Sequence, residues 1–251
     1  MVMLSLTPVK DAVGTVLWPT HPTLDNYRTV INQDHFFLKN FWAQIANSFI
    51  VAIAVCALVL AIASLASFAV GRLRLWWGHH VSNAALLTYL IPAAFLAVPM
   101  YKTMYHYGML DNQWALILSM VTFATPYAIW VLRQYAENIP FELDEAAKVD
   151  GATVPQIFLK VYLPLIVPAL VAIGTYALLL SWNEYLYALL MLSTPTSVTL
   201  PVAVGYFLSS DDSPWALLMA TSVIYALPPA ALYYCVRRYM VSGLTAGAVK
   251  N

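Results

Sequence analysis

The sequence predicts an all-α polytopic membrane protein, a bundle of apolar helices. Three observations carry this. Of 251 residues, 61% are hydrophobic and only 10% are charged, against about a quarter charged in an ordinary soluble domain. The 12 Lys+Arg and 12 Asp+Glu cancel. The chain therefore has no basic field for nucleic acid and too few charges to clothe a soluble globule of its size. Finally, the charges are gathered into short segments, leaving residues 40–71, 75–101, 112–132, 161–183 and 213–236 without any.

A helix needs about 20 apolar residues to cross the hydrocarbon core, which places spans near 45–69, 84–105, 113–133, 161–182 and 214–236. They are helices because backbone polar groups in lipid must be satisfied within the segment, and the alternation of a membrane barrel strand is absent. Residues 185–210 are also charge-free, but Pro195, Pro201 and the polar run Ser193–Ser197 interrupt them. This stretch reads as the end of a span plus a loop that dips into the protein, where covered irregular backbone is tolerated. Pro92, Pro99, Pro126, Pro164, Pro168, Pro228 and Pro229 fall within spans and are expected to kink them. Cys56 and Cys235 lie in apolar runs and read as free core thiols.

Orientation follows from lysine and arginine. Arg72, Arg74, Arg133, Lys148, Lys160, Arg237, Arg238 and Lys250 fall on one side, and Lys10, Arg28, Lys39 and Lys102 on the other. The richer side is cytoplasmic. The C-terminus is then inside and residues 1–40 form an extracytoplasmic segment ahead of a transmembrane domain, 41–251. The loop at 193–213 lacks Lys and Arg and carries Asp211 and Asp212, as an outside loop does. Five spans with the C-terminus inside put the N-terminus outside without a signal-like segment, so either a first span is missing from this sequence, which is the favoured expectation, or a short N-terminal tail is pushed across.

One segment concentrates charge, the cytoplasmic loop 134–160. Pro140 suits a first helical turn, and Glu142, Asp144 and Glu145 follow where acids favour the helix dipole. Asp144 and Lys148 are spaced to pair on one face. Gly151 fits a left-handed helix stop. Thr153-Val154-Pro155-Gln156 reads as a capping box that opens a second helix. The loop is thus helix, glycine turn, helix. Ala146 and Ala147 give the first helix a small surface, suited either to a groove in another protein or to the membrane interface.

Glu145-Ala146-Ala147, then Gly151, Val161 and Leu163-Pro164 at their set spacing resemble the EAA motif of ABC-importer permease subunits. Val161 is the one departure, since Ile is commoner there. Thr23-Leu24-Asp25-Asn26-Tyr27, Asn47-Ser48, Trp182-Asn183-Glu184 and the run Gly243 to Lys250 resemble the carbohydrate-uptake, maltose-type branch. Ser5-Leu6-Thr7-Pro8 resembles the segment after the first of six spans, with Thr7 where Lys is usual.

The resemblance implies the transmembrane fold of those importers. It also implies a second permease subunit, two ATP-binding subunits, an extracytoplasmic solute-binding protein and a sugar or polyol substrate. ATP and Mg would be bound by the partner subunits, and this chain would hold no cofactor and act on no nucleic acid. Glu145, Ala146, Ala147, Asp150 and Gly151 would couple it to the ATPase. The chain has no Gly-x-x-x-x-Gly-Lys-Ser/Thr phosphate loop and no paired-Cys or His-Glu-x-x-His metal spacing. His21, His35, His79, His80 and His106 are scattered and read as solvated or interfacial.

Glu184 is the one acid at apparent membrane depth, where charge is costly unless it faces the bundle interior. With Asn183 it is a candidate for the translocation pathway, against a plain structural hydrogen bond near the interface. Trp76, Trp77 and Trp114 read as interface belts. Tyr89, Tyr127, Tyr176 and Tyr185 are inward candidates among which the sequence does not choose. Two rival readings remain. A secondary carrier tends to show internal repeats and coupling charges; no repeat is visible and the single acid Glu184 is thin support. An integral-membrane enzyme or assembly factor needs clustered His, Asp or Ser at one membrane level, and none is visible.

Overall fold

The computed structural model describes residues 1–8, 19, 21–73, 77–208 and 214–248, the side chains of 79 and 238–248 excepted. Lys10, Arg74, Trp76, Asp211, Asp212 and Lys250, and the side chain of Arg238, lie outside the described residues. So do the side chains of the run from Gly243.

Every regular element among the described residues is helical. In chain order these are α1 (Val2–Ser5), α2 (Asp25–Asn32), α3 (Phe41–Arg72), α4 (Gly78–Leu87), α5 (Ala97–His106), α6 (Gln113–Glu137), α7 (Glu142–Val149), α8 (Val154–Ile157), α9 (Leu163–Leu165), α10 (Val167–Trp182), α11 (Leu186–Met191), α12 (Leu200–Phe207) and α13 (Trp215–Ala248). A π-helical turn, Phe158–Tyr162, joins α8 to α9.

Among the described residues, three helices are long and apolar enough to cross a membrane: Phe36–Arg72, Gln113–Glu137 and Trp215–Arg237. The other two expected spans are broken pairs. His80–Leu90 and Ala93–His106 meet at 88°, and Val154–Leu165 and Val167–Trp182 at 78°. Proline explains both breaks. Pro92 has no N–H to continue the first helix and holds Ile91 extended. Pro164 and Pro168 flank the turn at Ile166, so the ladder loses a donor at the bend. Pro126, Pro228 and Pro229 instead sit inside unbroken helices. Residues 185–210 are no plain loop: they carry α11 and α12, and α12 buries Leu200, Val202, Ala203 and Phe207.

Contacts divide the chain into two units. One comprises Met1–Val51, Tyr101–Leu116 and Trp182–Leu232. Its core joins Val30, Leu38 and Phe41 to Leu200, Phe207 and Leu217. The other comprises Ala52–Met100, Ile117–Ser181 and Tyr233–Asn251. There the buried stripes are rich in alanine at helical spacing, Ala124, Ala128 and Ala136 with Leu132 on α6 and Ala169 and Ala177 with Ile173 on α10. Small side chains let helices approach closely where lipid supplies no hydrophobic drive between them. Gly174 shows the result: a Cβ there would lie 3.3 Å from Leu60 and 3.4 Å from the Cys56 sulfur of α3. Cys56 is half-buried and its thiol donates to the Gly174 carbonyl at 3.4 Å. Cys235 is exposed, which corrects its reading as a core thiol. An apolar run is no sign of a protein core when the helix face it covers meets no neighbour in the chain.

Candidate functional site

Loop 134–160 folds as helix, glycine turn, helix. α7 begins with Glu142, Asp144 and Glu145 in its first turn, where negative charge meets the positive end of the dipole. Pro140 stands just before the helix and not in its first turn. Gly151 adopts φ +82°. Its N–H donates to Lys148 at 3.0 Å, and that of Ala152 to Ala147 at 2.9 Å, the two bonds of a Schellman stop. No atom lies within 4 Å of a Cβ built on Gly151, so the backbone angle alone demands glycine there. Gln156 Oε1 then accepts from the Thr153 N–H at 2.7 Å, within a capping box that opens α8.

The stop and the cap fix which side of α7 is presented. Glu142, Leu143, Glu145, Ala146, Lys148, Val149 and Asp150 are exposed, and Ala147 half-buried. Leu143, Ala146 and Val149 form a short apolar strip with carboxylates beside it, and Val149 is 89% exposed. A cleft of about 170 Å³ adjoins this helix, lined by Arg72, Leu73, Phe141, Asp144, Glu145 and Lys148.

Asp144 departs from its expected pairing with Lys148. It points inward, and its Oδ2 accepts from Arg72 Nε at 2.8 Å, with both side chains buried. The guanidinium at the end of α3 also donates to the carbonyls of Ala136 (3.2 Å), Ile139 (2.6 Å) and Pro140 (3.0 Å). It lies 4.4 Å from the centre of the Phe141 ring. A buried cation is tolerable when paired and hydrogen-bonded; Arg72 is paired with Asp144 and makes these four bonds, while Asp144 Oδ1 finds no partner among the described residues. The partners of Arg72 lie 64 to 72 residues on, a separation no helical periodicity reveals. Sequence reasoning used this residue only for orientation.

Glu184 is half-buried. Its Oε1 accepts from the Tyr187 N–H at 2.8 Å, so it caps the start of α11. Asn183 is exposed, and its Oδ1 accepts from the Tyr225 hydroxyl at 3.3 Å. Trp182 is buried and stacked on Tyr225, with centroids 5.4 Å apart at 13°. Three of the four inward tyrosine candidates converge. The Tyr89 and Tyr176 hydroxyls are 2.7 Å apart, and the Tyr127 ring lies 4.8 Å from that of Tyr176. Tyr185 instead packs on Gly205, where a Cβ would come within 2.7 Å of its ring.

A second knot was not anticipated. Asp111, at φ +57°, accepts from the N–H groups of Ser193 and Thr194, each at 2.9 Å, and from the hydroxyls of Thr194 and Ser197. These donors hold its carboxyl well below the usual carboxylate range. Beside it, buried Asn47 donates to Thr196 (2.7 Å) and Val198 (3.0 Å) and accepts from Gln113 (2.6 Å). Ser48 accepts from the Leu200 N–H at 2.9 Å. The Asn47-Ser48 pair therefore ties the first span helix to the segment ahead of α12.

Three comparisons bear on these features. The family model described as binding-protein-dependent transport system inner membrane component matches residues 43–245. The inner membrane ABC transporter permease protein YcjP of Escherichia coli K12 is 34% identical over 100% of this chain and 89% of its own length. The trehalose transport system permease protein SugB of Mycobacterium tuberculosis is 33% identical, over 99% and 89%. The diacetylchitobiose uptake system permease protein DasC of Streptomyces coelicolor is 31% identical, over 100% and 90%. Among solved structures, a chain of a bacterial ABC transporter involved in alginate import superposes with a TM-score of 0.78 at 24% identity, covering 95% of this chain and 88% of that one. A chain of the methionine transporter MetNI superposes at 0.62 and 20% identity, covering 84% and 97%. These two share the fold.

Proposed function

Because the chain belongs to the binding-protein-dependent transport system inner membrane components, a multi-pass permease family, we propose that it is the permease subunit of an ATP-driven importer for a sugar or related polyol. The sugar class rests on relatives named for trehalose and diacetylchitobiose. The subunit carries no catalytic step. It works with a second permease subunit, two ATP-binding subunits that hold ATP and Mg, and an extracytoplasmic solute-binding protein, all within the lipid of the cytoplasmic membrane. The C-terminus and loop 134–160 face the cytoplasm, and residues 1–40 face outside.

The observation that carries the coupling role is the exposed face of α7. Glu145, Ala146 and Asp150 project from a short rigid helix, Ala147 lies at its edge, and Gly151 turns the chain sharply away. Small residues admit a partner's groove, and the flanking carboxylates select a basic one. Asn183 and Glu184 are assigned to the pathway, where Glu184 also shapes the start of α11. Glu184→Ala is therefore expected to lower uptake while the ATPase subunits stay bound.

The deciding experiment purifies the complex from membranes. Wild-type chain is expected to retain the ATP-binding subunits, and Glu145→Lys to lose them while inserting normally. Uptake is followed with labelled trehalose, maltose and diacetylchitobiose. Retention and uptake unchanged by Glu145→Lys would remove α7 from the coupling route.

A further inference from the structure

We infer that Arg72 is the positioning residue of the coupling helix: its guanidinium fastens α7 to the end of α3, so that the two move as one body. This rests on the coupling role proposed for α7 and adds the route by which its movement reaches a membrane span.

Three observations carry the inference. First, the bonds fix orientation as well as distance. Arg72 hydrogen-bonds Ala136, Ile139 and Pro140, which lead from α6 into α7, and also Asp144 in the first turn of α7. A guanidinium presents its donors in a rigid plane, so acceptors on both sides of the entry to α7 are locked together. Second, solvent reaches the ion pair only along the cleft beside it. The Arg72 side chain is 1% exposed and that of Asp144 8%, and Phe141 lies against the guanidinium.

Third, the covalent routes away from α7 are the deformable ones. Upstream, α6 runs unbroken but loses one ladder hydrogen bond at Pro126. Downstream come the π-helical turn Phe158–Tyr162 and the 78° break. By contrast, α3 has no proline from Phe41 to Arg72, and an unbroken hydrogen-bond ladder is stiff along its axis. Its end comes close because residue 71 is glycine: a Cβ there would lie 3.1 Å from that of Ala136. The stiff path from α7 into the span therefore runs through the Arg72 side chain and not along the chain.

The test reads this fastening directly. In a chain with Cys56 and Cys235 replaced by serine, nitroxide labels are placed at Leu65→Cys on α3 and at Lys148→Cys on α7, both exposed and the second off the apolar strip. Their distance distribution is measured in liposomes for the chain with its second permease subunit, with and without the ATPase subunits, and for the full complex with and without ATP and Mg. One body predicts a narrow distribution with the same mean in every state. Arg72→Lys is expected to broaden it about twofold, because an ammonium holds a point where the fork holds a plane. Asp144→Asn keeps an acceptor in place and is expected to broaden it less.

Two results overturn the inference. One is a mean that shifts on ATP binding in the unsubstituted chain. The other is a width unchanged by Arg72→Lys. A purely structural role for Arg72 predicts reduced chain in the membrane with normal widths in what remains, and that outcome also overturns it. If the ATPase subunits are not retained by the wild type, the coupling reading falls, while the fastening is still read in the sample without them.

Discussion

Two segments of this chain are each tied by one charged side chain, and they make opposite use of burial. At the entry to α7, the buried Arg72 cation donates into the buried Asp144 carboxylate, the buried Ala136 carbonyl and two part-buried carbonyls, those of Ile139 and Pro140. At residues 193–197, the half-buried Asp111 anion gathers two N–H groups and two hydroxyls of a largely exposed segment. The geometry is similar, with a single ion organising several dipoles of a distant segment. What differs is the alternative. When the Asp111 bonds break, water takes both sides. When the Arg72 bonds break, an ion and its acceptors stay buried without partners. Breaking the buried knot therefore costs more than breaking the more exposed one.

The largest expected effect tests the buried knot. Arg72→Ala strands Asp144 and should cost about 3–5 kcal/mol, read as a lowered thermal unfolding midpoint of the detergent-solubilised chain. An unchanged midpoint breaks the comparison. Next comes Asn47→Ala, which removes a neutral but buried side chain making three hydrogen bonds next to the Asp111 segment. Unpaired buried groups cost about 1–3 kcal/mol. A larger midpoint drop for Asn47→Ala than for Asp111→Asn shows that burial, more than charge, sets the cost of breaking each knot.

The smallest effect is the pH response of Asp111. Its carboxyl is held below the usual range by the hydroxyls and N–H groups around it, so folding favours the ionised form. That contribution is complete above the ordinary carboxylate value of about 4 and is lost only as pH falls through the lowered folded value. Hydrogen exchange at Ser193 and Thr194 should gain no acid-induced opening between about pH 7 and pH 5. Opening should begin only below the ordinary value. Asp111→Asn should raise exchange at both amides throughout, and an opening that tracks pH in that variant would assign the titration to another group.

Much of α7 was legible because its signals are local. Gly151 as a left-handed stop and Thr153 to Gln156 as a capping box rest on residues within one turn of each other, and both form. The spans were legible as composition, and the prolines marked where two of them would bend, although not that Pro126, Pro228 and Pro229 would leave their helices unbroken. Asp144 shows the limit. Lys148 on its own helix was the visible candidate, and Arg72, far away in the chain, took its place. Asn47-Ser48 was visible as a resemblance, but its purpose depends on carbonyls about 150 residues on.

The sequence by itself determined that the chain is a helical membrane bundle with one charged, glycine-stopped loop. Hydrophobic run length, charge placement and cap chemistry are all short-range properties. Only the tertiary structure decided which charges are buried together, that three of four candidate tyrosines converge, and that Arg72 is bonded to the first turn of α7 and to the chain leading into it. Those outcomes depend on which distant backbone carbonyls are left without a partner once the helices have packed, and no local pattern encodes that remainder.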